Sequence, residues 1–147
     1  MSRSIIEATK IQARAVIPIV KALEAELGKE RAHEIVGRAI ADNHVAWMEK
    51  RGVEVNDDPR GGDNSPDYPT EHEVVEDSED AYGHNITACA FAELFQRLGE
   101  PEIGALMCCG VDFANEARFR PGWDFSRTQT LMQGAGCCDF RWRRKTA

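Results

Sequence analysis

The sequence predicts an α+β fold: an N-terminal helical hairpin, then a small antiparallel sheet with helices packed on one face. Two observations favour this class. Apolar residues recur at helical spacing in the first third of the chain, and short strand-like segments alternate with helical ones afterwards. The 147 residues match the usual size of one domain. We therefore expect a single domain over 1–147, made of a helical hairpin (1–52), a loop or linker (53–70) and an α+β portion (71–147).

Two amphipathic helices are predicted in the hairpin. Apolar residues of 4–27 follow the three-and-four spacing, and Gly28 is a natural stop because glycine tolerates a left-handed conformation. Pro18 lies inside this pattern and predicts a kink or a break near residues 16–17. A second helix is expected over 29–50. Its inward-facing residues are expected to be Ile35, Val36, Ala39, Ile40, Trp47 and Met48.

The middle of the chain is predicted to change from loop to strands and then to helices. Residues 53–70 are rich in Asp, Asn, Gly and Pro, so they are expected to form a plain connection or, alternatively, a lid over a site. Residues 73–76 and 84–87 are predicted as short strands. A helix opens at Cys89, and Pro101 suits the first turn of another that leads to the first cysteine pair.

The C-terminal third is predicted to be a β-hairpin. Residues 123–132 are rich in threonine and aromatic residues, 133–136 supply a glycine-containing turn, and 137–143 return as a strand. The aromatic residues of the returning strand favour placing Cys138 in the core.

Composition excludes several classes of function. The net charge of -7 argues against general nucleic-acid binding, and no phosphate-binding or dinucleotide motif is present. Lys10, Arg14 and Lys21 interrupt the N-terminal apolar residues, so neither a signal peptide nor a membrane span is expected. We expect a cytoplasmic protein with reduced thiols and a small-molecule substrate, and homo-oligomerisation stays open.

Cysteines carry the main functional signal. Four of the five cysteines form two adjacent pairs, and each pair is followed closely by an aspartate and a phenylalanine. On a helix, Cys109 and Asp112 would face the same side. A helix N-terminus at Cys89 predicts a lowered thiol pKa. Three interpretations stay open: a thiolate nucleophile assisted by Asp112, a soft-ligand metal site, and buried structural thiols. The two pairs are Cys108 with Cys109 and Cys137 with Cys138.

An ordered set of C-terminal residues resembles the bacterial L-2-amino-thiazoline-4-carboxylic acid hydrolase family. The resemblance covers about residues 84–144 well and the N-terminal helices only in general character. The strand, glycine turn and final cysteine are also similar to 4-vinyl reductase-type ligand-binding domains, which implies a pocket between helices and sheet. The residues that carry the family resemblance are Cys89 with 93–99, Cys108, Cys109, Asp112, 127–134 and 138–141.

The resemblance implies hydrolytic opening of a cyclic amidine-type ring, from L-2-amino-thiazoline-4-carboxylate to N-carbamoyl-L-cysteine. From the needs of that reaction we expect a nucleophile or base, a cation for the substrate carboxylate and groups that orient water. No cofactor is expected, and metal binding is left open. The alternative is a non-catalytic small-ligand-binding or sensor domain with buried structural cysteines. The expected catalytic residues are Cys109, Asp112 and Cys138, and the expected substrate-binding residues are Cys89, Arg127, Thr128 and Thr130.

One geometric conflict is visible in this assignment. Side chains alternate across a strand, so Thr128 and Thr130 would share one face while Arg127 pointed to the other. A β-bulge would be needed to bring all three into one pocket.

Overall fold

A computed structural model describes residues 4–61 and 68–146 and has the predicted α+β fold. Helices α1 (Ile5–Leu27) and α2 (Lys29–Lys50) pack against each other as the predicted hairpin. The other elements are strands β1 (Thr70–Asp77) and β2 (Ala81–Cys89), helices α3 (Ala90–Arg97) and α4 (Pro101–Gly104), a π-turn (Ala105–Cys109), helix α5 (Val111–Phe119), strand β3 (Trp123–Ser126), a 3-10 turn (Leu131–Gln133) and strand β4 (Cys138–Arg144).

Helix α1 begins at a side-chain cap and runs without interruption. The Ser4 hydroxyl accepts a hydrogen bond from the backbone N–H of Glu7, and Gly28 separates the two helices with a φ of 81°. The predicted break before Pro18 is absent. Ala13 and Val20, on either side of the proline, are fully buried, so packing holds the helix together where Pro18 omits one backbone hydrogen bond.

Helix α2 buries less of its apolar surface than the sequence predicts. Trp47 and Ala39 were expected to face inward, but Ala39 is exposed and half of the surface of Trp47 is accessible. The Arg51 guanidinium lies 4.6 Å from the centre of the Trp47 ring, which partly covers the indole. Ala32 is the fully buried position of this helix instead.

The four strands form one antiparallel sheet in the order β1-β2-β4-β3. Alternate residues of the two central strands share one face, which looks toward α1, α2 and α5 across a cleft. Three cross-strand pairs form that face: Tyr82 with Trp142, His84 with Phe140, and Ile86 with Cys138.

Two strand predictions differ in length from the structure. Strands β1 and β2 extend well beyond the predicted 73–76 and 84–87, because a tight turn at 78–80 lets the acidic segment join the ladder. The strand predicted over 123–132 ends at Ser126. There the Asp139 carboxylate accepts hydrogen bonds from the backbone N–H groups of Thr128 and Gln129, and these replace ladder bonds.

Two clusters of apolar residues form the core. One joins α1, α3 and the 3-10 turn around Phe95 and Met132, and the other packs Tyr82, Trp123 and Trp142 on the sheet. No helix in the described part of the chain combines the length and apolarity needed to cross a bilayer.

The first cluster leaves no room for a side chain at Gly104. A Cβ atom at this position would lie 2.5 Å from Cγ of Phe95 and 2.7 Å from Sδ of Met132, and both of those residues are buried. We expect Gly104→Ala to lower the free energy of unfolding by about 1–3 kcal/mol through overpacking. Urea denaturation measures this. Gly136→Ala is the matched control, because nothing lies within 4 Å of its added Cβ. Equal stability of the two variants would contradict the proposed packing.

Candidate active site

The site is built around an ion pair between α5 and the segment after β3. Nη1 of Arg127 donates to Oδ2 of Asp112 at 2.5 Å, and Nη1 and Nη2 both donate to the Cys109 carbonyl at 3.2 Å. The guanidinium also lies over the rings of Phe113 and Phe140. Only 8% of the Arg127 side chain is exposed. One arginine therefore ties the end of the π-turn to the start of α5.

The π-turn brings Cys109 and Asp112 to the same partner. The Gly110 N–H donates to the Ala105 carbonyl five residues earlier, at 2.7 Å, which widens the helix by one residue. Such insertions are frequent at functional sites. The π-turn ends at Gly110, and both the Cys109 carbonyl and the Asp112 carboxylate bond to Arg127.

Asp112 titrates close to neutrality. Burial raises the pKa of its carboxyl to about 6, and the negative charge of Glu116 adds to the rise while Arg127 opposes it. About a third of the side chain (32%) remains accessible. At neutral pH Asp112 is a carboxylate that can accept a proton, which is the property of a general base.

The thiols around Asp112 are protonated at neutral pH. Burial raises the pKa of Cys108 and of Cys109 to about 12, and it also raises the pKa of Cys138. The charge of Asp112 contributes to all three rises, so these thiols lie close to the carboxylate. All five cysteines are free. The site therefore offers S–H groups, not thiolates, before a ligand enters.

The prediction of a lowered thiol pKa at Cys89 is wrong. Cys89 does stand at the start of α3, but its side chain makes no capping hydrogen bond there. Burial raises its pKa and outweighs the lowering effect of the nearby backbone N–H groups of Ala92 and Phe91. A helix N-terminus favours the thiolate, but burial in apolar surroundings raises a thiol pKa, and at Cys89 burial has the larger effect.

A single cleft of about 700 Å³ collects most of the expected site residues. It lies between the helices and the inner face of the sheet, and its volume suits a ligand of drug size. Cys108, which was not among the expected site residues, also lines it. The expected site residues on its wall are Cys89, Cys109, Asp112, Arg127 and Cys138.

The two expected threonines are not among the cleft-lining residues, and their hydroxyls have structural partners. The exposed Thr128 donates its hydroxyl to Asp139, while Thr130 is buried and caps the 3-10 turn by accepting from the Gln133 N–H. Alternation does not decide their orientation, since the strand ends before them. Arg127 lines the cleft and the two threonines do not, so the three side chains do not share one pocket.

Sequence reasoning missed the aromatic end of the cleft. His84 packs against Tyr82, Phe140 and Trp142 with ring centres 5.1–5.6 Å apart, and against His72 at 5.0 Å. Burial lowers the pKa of His84 to about 4, so the imidazole is neutral. The alternation of Tyr82 and His84 on one strand with Phe140 and Trp142 on its partner was the available signal.

Glu116 links that aromatic end to α5. Its carboxylate accepts from Nε1 of Trp142 at 2.8 Å and from Nη1 of Arg120 at 2.7 Å, and the residue is buried. Asn115, its neighbour, also lines the cleft. Residues 4–61 and 68–146 contain no group of three His, Cys, Asp or Glu placed to hold a metal ion.

Fold and site together define an α+β protein with a cleft lined by carboxylate, thiol and aromatic groups. A family model described as L-2-amino-thiazoline-4-carboxylic acid hydrolase matches residues 8–142. The chain therefore belongs to the L-2-amino-thiazoline-4-carboxylic acid hydrolase family, whose name is that of a hydrolase. No similar protein was found among curated proteins, and no similar chain among solved structures.

The protonated thiols have a chemical consequence. Because only the thiolate reacts with iodoacetamide, we expect Cys108 and Cys109 to be alkylated at pH 7 at least about a hundredfold more slowly than the same residues in urea-unfolded protein. Peptide mass spectrometry of timed samples measures both rates. Native labelling as fast as in the unfolded chain would show that either thiol is ionised or exposed.

The neutral His84 makes stability depend on pH. The unfolded chain takes up a proton below pH 6.5, whereas the folded chain resists it until about pH 4. The stabilisation present above pH 6.5 is therefore lost as the pH falls toward 4, by on the order of 2 kcal/mol. We expect His84→Phe to lose less stability over this range. Urea denaturation at several pH values gives, for each protein, the slope of the free energy of unfolding against pH. The contribution of Asp112 has the opposite sign but is common to both proteins, so it cancels when the two slopes are compared. Equal slopes would contradict a neutral His84.

Proposed function

We propose that this protein is a hydrolase that opens a small cyclic amidine-type ring, converting L-2-amino-thiazoline-4-carboxylate to N-carbamoyl-L-cysteine. Family membership supports the reaction class. The observation that carries the proposal is the Asp112 carboxyl, with a pKa of about 6, on the wall of the cleft and bonded to Arg127. A carboxyl with that pKa changes protonation state near the pH at which a cytoplasmic enzyme works.

The charges of this substrate are the reverse of the Asp112–Arg127 pair. The amidine part of the ring accepts a proton and becomes cationic, and the ring also carries a carboxylate. When the substrate enters, its amidinium pairs with Asp112 and its carboxylate with Arg127. Because each buried charge exchanges one partner of opposite sign for another, neither is left unpaired during binding. Arg127 retains the bidentate geometry that suits a carboxylate.

In the reaction, Asp112 acts as the general base. The oxygen of water bonds to the ring carbon between nitrogen and sulfur while Asp112 takes a proton from the water. The carbon–sulfur bond then breaks, and the sulfur leaves with the electron pair and receives the proton from Asp112. Counted on the neutral ring, one water is added: its oxygen becomes the carbonyl oxygen, one hydrogen ends on sulfur and the other on the ring nitrogen.

The thiols favour water over cysteine as the nucleophile. With a pKa of about 12, Cys109 has very little thiolate at neutral pH, whereas a covalent route needs that thiolate to attack. Cys138 is likewise protonated, and its sulfur accepts a hydrogen bond from the Leu131 N–H. In this proposal Cys109 and Cys138 line the pocket as neutral thiols, with covalent attack by either as the alternative mechanism.

The rate of thiol release by selected variants distinguishes these two mechanisms. Wild-type protein incubated with L-2-amino-thiazoline-4-carboxylate should release a thiol that a chromogenic reagent detects. We expect Asp112→Asn to lower kcat by about 10²–10⁴-fold, because the base is lost. Cys109→Ser and Cys138→Ser should lower it by less than about tenfold. In the wild type, kcat/KM should rise as the pH increases through about 6, where Asp112 loses its proton.

Asp124→Asn on the exposed surface of β3 is the matched control and should keep full activity. Thermal melts of each variant establish that it is folded. Loss of turnover in either serine variant as deep as in Asp112→Asn would favour covalent catalysis. Tight binding of the ring without thiol release would instead support the non-catalytic ligand-binding function.

A further inference from the structure

One buried acceptor in the cleft has no partner within the chain. Among the side chains of residues 4–61 and 68–146, Oδ1 of Asn115 is the buried nitrogen or oxygen atom without a hydrogen-bond partner. Asn115 lies on α5 three residues after Asp112, a spacing that places both on one side of a helix, and both line the cleft. Buried polar atoms are almost always paired, so this one marks a place where something else donates.

Polar groups beside Asn115 in the site already have partners: Glu116 is its neighbour in the chain, and Arg127 binds Asp112. Glu116 accepts from Trp142 and Arg120, and Arg127 donates to Asp112 and to the Cys109 carbonyl. None of these bonds involves Asn115. Because no group of the described chain donates to Oδ1, its donor is left to a molecule bound in the cleft.

The chemistry of the amide oxygen restricts that molecule. A carbonyl oxygen only accepts, so its partner must present an N–H or O–H, and an ionised carboxylate presents neither. The ring of the proposed substrate has an amino group on the carbon between nitrogen and sulfur, next to the amidine edge that pairs with Asp112. We infer that Asn115 accepts a hydrogen bond from this amino group and selects 2-amino rings over rings that lack it. This inference rests on the proposed function, since it takes the same ring as its ligand.

Selection of this kind follows from the cost of an unpaired acceptor. A ring with a methyl group in place of the amino group has the same size but leaves Oδ1 buried without a donor. A polar group that loses its partner in this way is what lets a site reject an analogue of equal shape. Asn115 would thus be a specificity-determining residue, while Asp112 carries out the proton transfer.

Two probes test the inference without turnover. 2-Amino-thiazole-4-carboxylate and 2-methyl-thiazole-4-carboxylate are aromatic rings that resist hydrolysis and differ in the group on the carbon between nitrogen and sulfur. By calorimetry we expect wild-type protein to bind the amino ring about tenfold more tightly than the methyl ring, the effect of one hydrogen bond. In Asn115→Leu this ratio should fall to about one. In Asn115→Asp, which keeps an acceptor, the preference should remain.

Stability separates a ligand-directed role from a structural one. Because Oδ1 has no partner in the folded chain, Asn115→Leu should melt at no lower temperature than wild type. Asn43→Leu, at an exposed position of α2, is the matched control and should keep the preference for the amino ring. An unchanged preference in Asn115→Leu, or a preference lost in Asn115→Asp, would overturn the inference.

Failure of the inference is distinguishable from failure of the proposed function. Thiol release by wild type together with equal binding of the two probes overturns the role of Asn115 and leaves hydrolysis in place. A preference that depends on Asn115, without thiol release from the thiazoline, supports the amino-group site and overturns the hydrolase. Binding of neither probe and no thiol release overturn both.

Discussion

The Asp112–Arg127 ion pair is the interaction on which the arrangement of the site depends. It joins α5 to the segment after β3 and, through the Cys109 carbonyl, also fixes the end of the π-turn. A buried arginine without its carboxylate would carry an uncompensated charge, so the pair favours the arrangement in which these segments meet. The same pair holds a carboxylate in the cleft with a pKa near neutrality. One contact therefore both joins these segments and holds the ionisable carboxylate in the cleft.

Burial is the second constraint, and it shifts pKa values: it raises those of the acidic groups and lowers that of the imidazole. It raises the pKa of Asp112 into a range useful for proton transfer, but it raises the pKa of Cys109 beyond the range in which a thiolate forms. It also keeps the imidazole of His84 neutral beside the aromatic rings. One apolar environment therefore produces a titratable acid, inert thiols and an uncharged base. This difference in pKa is why we propose that Asp112 acts as the general base while the cysteines line the pocket as neutral thiols.

Much of the fold could be predicted because it depends on local patterns. The spacing of apolar residues specifies α1 and α2, Gly28 separates them, and the cysteine at the start of α3 marks the change from strand to helix. Strand lengths could not be predicted in the same way. The last hairpin stops at Ser126 because Asp139, ten and eleven residues along the chain from Gln129 and Thr128, accepts hydrogen bonds from the N–H groups that would have extended the ladder. Only the folded chain places that carboxylate there.

The candidate site, like the fold, could be predicted from the sequence only in part. The sequence by itself determined the residue types, the family resemblance and the three-residue spacing of Cys109 and Asp112, since these are properties of the order of residues along the chain. Tertiary structure alone decided that Cys138 joins them, that Arg127 turns toward the carboxylate, and that Cys89 stays protonated despite its helix terminus. The physical reason is that pKa and cleft lining depend on burial by residues distant in the chain, which no local spacing encodes.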